Sequence, residues 1–393
     1  MQTLPFYRIL RDLGRRAFSR NPLHPDRFFG PACIWTPNLK FGNPNTNPGG
    51  FMRLSVALFL LSCSLGCSSI NDLLGTDLES ELKSNGARAV QRNSNGDITY
   101  INFSGSNKCT DAVLSKIHRL PKLRKLVLTG TPITNAGLAH LEHLESLENL
   151  QLDGTQISGE GLKHIKHLPR LHTLLLGDTR VGDRRLSSLA SMTQLETLSL
   201  EFTIFSEENL RNLQSLTNLR ELNIGSGGTK DYGLGFIGKL TELESLDLGK
   251  TQVTDFGMEQ IRNLLNLKSL ILFSTKITDD GLAHVGRMTK LETLVVSTTE
   301  VTNHGLRHLK SLDALKILDA SETKVTSQGM ASLQALTQLR SLDISQTLVA
   351  DEGLEYLAAM KKLRKLNLAK TRTTRDGREK LQSAIPTLSI VAE

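Results

Sequence analysis

From Leu123 onward, apolar and polar residues alternate in a phrase that returns every 24 residues. Leucine opens each copy, from Leu123, Leu147 and Leu171 through to Leu363, so eleven units fill residues 123–386 without an insertion. Positions 1 and 4 of the unit are Leu in all eleven, and position 6 is Leu, Ile, Val or Ala. Position 9 is Thr in ten units and Gly227 in the other, and position 15 is Gly in nine. Positions 4 and 6 alternate with polar neighbours, the spacing of a strand whose successive side chains point to opposite faces. Positions 16, 19 and 22 are apolar and three apart, which keeps them on one side of a short helix. Thr or Ser often stands at position 12, as at Thr134, Ser158, Thr254, Thr278, Thr302 and Thr326. A hydroxyl there suits an N-cap, because it accepts from a free amide of the first helical turn. One strand and one helix of this size cannot bury their own apolar faces, whereas stacked copies form a continuous core.

The phrase reads LxxLxLxxTxITxxGLxxLxxLxx and resembles the leucine-rich repeat. The resemblance implies an α/β solenoid, a curved horseshoe with one parallel concave β-sheet and short convex helices. In that family an asparagine usually holds position 9 and bonds neighbouring backbone turns from the inside. Here threonine replaces it, and a hydroxyl with one donor and two acceptor sites is expected to serve a similar internal ladder through Thr131, Thr155, Thr179 and their successors. A row of catalytic hydroxyls is the rival reading, but an active site does not need ten identical copies.

Different text flanks the array. Residues 67–122 read as an N-terminal helix, a hairpin and a capping repeat. "DLLGTDLESELKSNG" suggests a helix stopped at Gly86, and "ARAVQRNSNGDITYINFSG" sets two alternating runs around an Asn-Gly pair. Ile101 and Phe103 approximate a first strand, and Val113, Leu114 and Ile117 a first helix. Residues 387–393 read as a C-terminal cap, with Thr373 and Arg378 replacing apolar residues just before it. In the fifth unit Gly225, Gly227 and Gly228 replace side chains, and Thr229 an aliphatic one, which predicts a slight break in curvature.

The first 66 residues carry seven of the eleven prolines and the single Trp, Trp35. Residues 52–66 read as a signal peptide: Arg53 supplies a basic start, and Leu54 to Leu61 an apolar run too short to span a bilayer permanently. Cys67, after Leu65 and Gly66, resembles the lipidated residue of a bacterial lipobox; Cys63, ending "LLSC", is the alternative. Residues 1–51 are then expected to be disordered, or to precede a true start at Met52. The resemblance implies an exported, lipid-anchored protein facing the periplasm or the cell surface. Without the leader, 39 basic and 38 acidic residues leave a net charge of +1 instead of +7. That balance argues against a nucleic-acid partner, which needs clustered cations, although "KKLRK" at Lys361–Lys365 remains a local patch.

Chemistry is sparse. His140 and His143 recur one unit later as His164 and His167, an array with zinc-type ligands but a predicted convex location and no acidic support in sequence. No hydrolase elbow, phosphate-binding loop or paired-cysteine motif is present, so neither an enzyme nor a cofactor is expected. Positions 3, 5, 7 and 8 are predicted to face the concave side. Against that polar background Ile271, Phe273, Val295 and Ile317 stand out in three consecutive units, with a smaller pair at Leu175 and Phe202. Asp247, Asp319, Glu322 and Asp343 lie near enough to orient a basic partner. Exposed apolar patches in polar surroundings mark protein contacts, and the bland alternative is that apolar strand neighbours stabilise the sheet. The expectation is a monomeric scaffold that binds a protein or peptide. A self-associating envelope protein and a metal-dependent activity at the histidines are the alternatives. Intracellular ubiquitin-ligase adaptors contain similar units, but no adaptor-docking domain precedes the repeats here.

Overall fold

The computed structural model describes residues 78–182 and 186–392. Cys63, Cys67 and the signal segment lie outside the described residues. Fourteen strands form one sheet in strict sequence order, β1 through β14. The first two, β1 (Ala89–Arg92) and β2 (Ile98–Asn102), pair antiparallel around the Asn95-Gly96 turn. From β2 onward every neighbour is parallel, and from β3 onward the register advances by one unit of 24 residues: Leu270, Leu294 and Leu318 stand side by side on β9 (Ser269–Ile271), β10 (Thr293–Val295) and β11 (Ile317–Asp319). The last strand, β14 (Ser389–Val391), joins β13 (Lys365–Asn367) in parallel and closes the described sheet.

From β3 onward each strand is three residues long, positions 3 to 5 of the unit. The Leu at positions 1 and 4 and the aliphatic residue at position 6 are buried throughout, as at Leu267, Leu270 and Leu272, each 0% exposed. On the opposite wall the apolar residues of positions 16, 19 and 22 close the core, carried on short helices such as Asp279–Val285 or on 3-10 turns such as Gly161–His164. The same core column runs through the cap, where Ile101, Phe103, Leu114 and Ile117 are fully buried. A helix over residues 78–84 precedes it and ends at Gly86, whose φ is +90°.

A turn follows each strand, and it departs from expectation. Position 8 does not continue the strand: its φ is positive in all eleven units, from Gly130 (67°) to Lys370 (55°). Only the first two units put glycine there; the other nine use Asp, Phe, Ser, Lys, Thr, Glu or Gln. The turn is closed by position 9. Its hydroxyl is buried, as expected, but it donates to the position 6 carbonyl of its own unit, as from Thr131 to Leu128 and from Thr275 to Leu272, at 2.6 and 2.7 Å. All ten threonines do this. The column is therefore a series of locks within turns, where the family asparagine suggested bonds between turns. A threonine is too short to span the spacing of about 4.8 Å between stacked strands. In the fifth unit Gly227 has no hydroxyl, and Thr229, two residues on, donates to the same position 6 carbonyl, Ile224, at 3.4 Å.

The side-chain bond between units sits at positions 12 and 13. Asp255 accepts from both the backbone amide and the hydroxyl of Thr278 in the next unit, at 2.7 and 2.6 Å. Thr278 in turn caps its own helix by accepting from the Asp280 amide. Asp111 with Thr134, Asp231 with Thr254, Asp279 with Thr302 and Asp351 with Thr374 repeat the clasp. Asn303 makes an amide version with Thr326, whose hydroxyl then accepts from Asn303 and caps nothing. The clasp also explains the glycine at position 15. A Cβ on Gly281 would lie 2.5 Å from Asp255 Oδ1, and one on Gly257 or Gly305 would meet the preceding aspartate as closely.

A second backbone ladder links the units beyond the turn, from each position 10 amide to the preceding position 11 carbonyl. It runs through Gln156, Arg180, Gln252, Lys276, Glu300, Lys324, Leu348 and Arg372. At the junctions between described regular units it has no rung at Ile204 or Gly228. Both gaps flank the fourth unit, and both are places where glycine lets backbones close in: a Cβ on Gly182 would lie 1.9 Å from the Ile204 carbonyl, and one on Gly228 2.4 Å from that of Phe205. The predicted irregularity at the fifth unit is thus a seam on both sides of the fourth.

Candidate functional site: the concave wall

Side chains at positions 3, 5 and 7 line the open face of the sheet. The patch read from sequence divides there. Val295, in the middle of β10, is only 2% exposed, because it is flanked in register by Ile271 on one side and Asp319 on the other. It offers a partner almost no surface, which corrects the expectation that position 5 is uniformly accessible. Ile271, Phe273 and Ile317 are half-buried around it. The ring of Phe273 lies across the space left by Gly249, where a Cβ would come within 2.0 Å of it, and Lys250 Nζ stands 5.5 Å from the ring centroid. Phe273 is thus held flat against the wall, one face toward the preceding unit. Leu175 on β5 (Thr173–Leu175) is half-buried, whereas Phe202 occupies the left-handed turn after β6 (Thr197–Ser199) and is 51% exposed. The two do not share a strand row, so the smaller predicted pair is not a sheet-face pair.

The acids are more buried than their sequence context suggested. Asp319 and Asp343 stand side by side on β11 and β12 (Ser341–Asp343), 7% and 2% exposed. Each accepts from the serine two residues on, Ser321 or Ser345, through both its amide and its hydroxyl, and Asn367 donates to Asp343 at 2.8 Å. Burial, together with the adjacent Asp343 charge, pushes Asp319 up to about 6 against the hydrogen bonds from Ser321 and Ser297. Asp247 on β8 (Ser245–Asp247) is half-buried as a residue, but desolvation of its carboxyl pushes it up to about 7; the Gly249 amide opposes this and the Glu201 charge adds to it. Glu322, at position 8, is exposed in its turn. So only the rims of these groups are presented to a ligand, and burial raises two of the carboxyls to about 6 and about 7.

Residues 225–391 match the family described as a leucine-rich repeat region. An internalin of Listeria monocytogenes is similar in structure at 22% identity and a TM-score of 0.60, over 81% of this chain and 94% of that one. A leucine-rich-repeat protein of Leptospira interrogans is similar at 18% identity and a TM-score of 0.51, over 70% and 80% of the two chains. No curated protein matches the chain in sequence. The fold is the leucine-rich-repeat solenoid. Within that solenoid, position 9 threonines replace the inward asparagine by closing turns, and aspartate at position 13 takes over the linkage between repeats.

The histidine array falls on the convex side of the solenoid. His143 and His167 are exposed, His140 and His164 half-buried, and His164 Nδ1 faces Glu142 at 3.8 Å. Among the described residues no three His, Cys, Asp or Glu side chains converge as a metal cage would require. Sequence reasoning missed a second convex feature. Tyr232 and Phe256, both at position 14 of adjacent repeats, are 57% and 59% exposed, and Phe236 packs edge-on against Tyr232 at 5.4 Å. Arg211 and Lys239 lie against the Phe236 ring. The signal was available as two aromatics in a column otherwise polar or small.

Proposed function

We propose that the chain is a non-enzymatic recognition scaffold that holds a protein or peptide on its concave wall. The observation that supports this most is the half-exposed apolar rim of Ile271, Phe273 and Ile317 set in a wall of Ser, Thr, Asn and Asp. Such a rim places a desolvatable anchor at the centre of a polar surround, the arrangement that dominates binding energy at protein contacts. Ionised Asp247 and Asp319 beside it favour a partner with a basic residue next to its apolar one. We place the protein at a bacterial envelope, exported and anchored through a lipid on Cys67.

Two experiments test these halves separately. Capture of a partner by the full chain is compared with capture by an Ile271→Ser/Phe273→Ser variant, with Leu270→Ala as the stability control. Loss of capture without loss of fold supports the concave site; unchanged capture sinks it. For the anchor, Cys67→Ser is expected to move the protein from the membrane fraction to the soluble one while Cys63→Ser leaves it in place. Equal behaviour of the two variants rules out the assignment.

A further inference from the structure

The last turn of the solenoid is chemically unlike the rest. Residues 361–380 contain nine Lys or Arg and two Asp or Glu, a net charge of +7. Residues 67–360 contain 30 basic and 35 acidic residues, a net charge of −5. The near-neutral total hides a strongly positive end on a negative body. Moreover, the charges go all the way around that turn. Lys365 is exposed on β13, Lys370 stands in the left-handed turn, Arg372 follows it, and Lys380 projects from the terminal helix Arg375–Ala384. None of these four side chains makes a hydrogen bond or salt bridge to a described residue. Lys361, Lys362 and Arg364 continue the ring on the third side, where they bond carbonyls and Gln338 yet stay exposed.

Inside the ring is an apolar tip. Among the described residues β14 pairs only with β13, which leaves its outer edge open there, and Val391 is 54% exposed with Ile390 half-buried beside it. Leu348, 49% exposed, adjoins Arg372 in the same column. One or two lysines suffice to keep an open strand edge from pairing with another chain. Nine cations on three sides of one turn, four of them with no side-chain hydrogen bond or salt bridge among the described residues, exceed that need. An apolar tip collared by Lys and Arg fits the interface of an anionic bilayer, where the tip enters the headgroup boundary and the collar meets the phosphates. A nucleic-acid surface would call for aromatic residues to stack on bases, and residues 361–393 contain none.

We propose that the C-terminal turn is a docking surface for an anionic phospholipid membrane, independent of any acyl chain on Cys67. The test uses the full chain with Cys63→Ser and Cys67→Ser, so that no lipid is attached. Its partition is measured onto vesicles of phosphatidylcholine alone and of equal parts phosphatidylglycerol and phosphatidylcholine. Reversing Lys365, Lys370, Arg372 and Lys380 to Glu is expected to lower partition onto the anionic vesicles by at least about tenfold. The same charge change made elsewhere, at Lys163, Arg170, Lys276 and Lys310, is expected to lower it far less. Binding by the unreversed protein is also expected to vanish when salt shortens the screening length to about 3 Å, a result that does not depend on how the variants fold. Equal loss from both reversals, equal binding to neutral vesicles, or retention on duplex DNA without binding to vesicles would each overturn the proposal.

Discussion

At the scale of single residues, the turn after each strand is where the chain accepts strain. A left-handed backbone costs an ordinary residue about 1–2 kcal/mol, and a β-branched one more than most. Thr298, with φ of 55° and an exposed side chain, is the extreme case. Thr298→Gly and Thr298→Asn are expected to raise the thermal midpoint, by the equivalent of about 0.5–1 kcal/mol, whereas Thr298→Ala is not. The neighbouring lock gives the opposite sign. Thr275→Val keeps the shape but removes the hydroxyl that binds the Leu272 carbonyl, and calorimetry is expected to show a loss of about 1–3 kcal/mol. The buried Leu columns were legible from spacing, and the burial of Thr275 from the resemblance to the leucine-rich repeat. The positive φ at position 8 was not, because nine different turns write it without glycine, and a residue held by its neighbours' geometry leaves no mark in composition.

Elements are joined by a three-part device: Asp or Asn at position 13, Thr at position 12 of the next unit, and Gly at position 15 beneath them. Gly281→Ala should destabilise by about 1–3 kcal/mol, because its methyl would strike Asp255 Oδ1. In an Asp255→Ala background the same change should cost much less, and a double-mutant cycle measures the coupling. The parts were visible as columns in the sequence, but their relation was hidden, since the partners lie 23 and 26 residues apart and no pattern within one unit reveals a bond to the next. Where the second ladder lapses, around the fourth unit, opening should be easier. Hydrogen exchange is expected to be faster at the Ile204 and Gly228 amides than at Lys276 and Glu300, which hold intact rungs.

For the molecule as a whole, charge is the property that the linear sequence disguised, because the leader and the last turn are both basic and the body is not. The concave face was half legible: the columns that face it could be read from the alternation, but accessibility depends on what stands in register across the sheet, which buries Val295 and leaves Phe273 half-exposed. The buried acids make stability depend on pH. Asp319 and Asp247 have native values raised to about 6 and about 7 from an ordinary 3.8. The native state therefore holds these protons more tightly than the unfolded one. Their contribution to stability is complete below about pH 4 and lost as pH rises through 6 and 7. Between pH 5.5 and pH 8 the thermal midpoint of the native chain is expected to fall more than that of an Asp247→Asn/Asp319→Asn variant.

The seam around the fourth unit also bears on load. In a column where each turn is gripped only by the turns beside it, tension along the axis is borne equally at every junction, so the weakest junction yields first. A molecule held at one end while gripping a partner elsewhere would part beside Ile204 before either terminus frayed. Each unit that then unravels releases 24 residues, about 80 Å of extended chain. The blocks on either side, still folded, would keep the concave wall of units six to nine intact while the tether lengthened. The missing rungs would then serve as slack, letting the protein stretch without letting go.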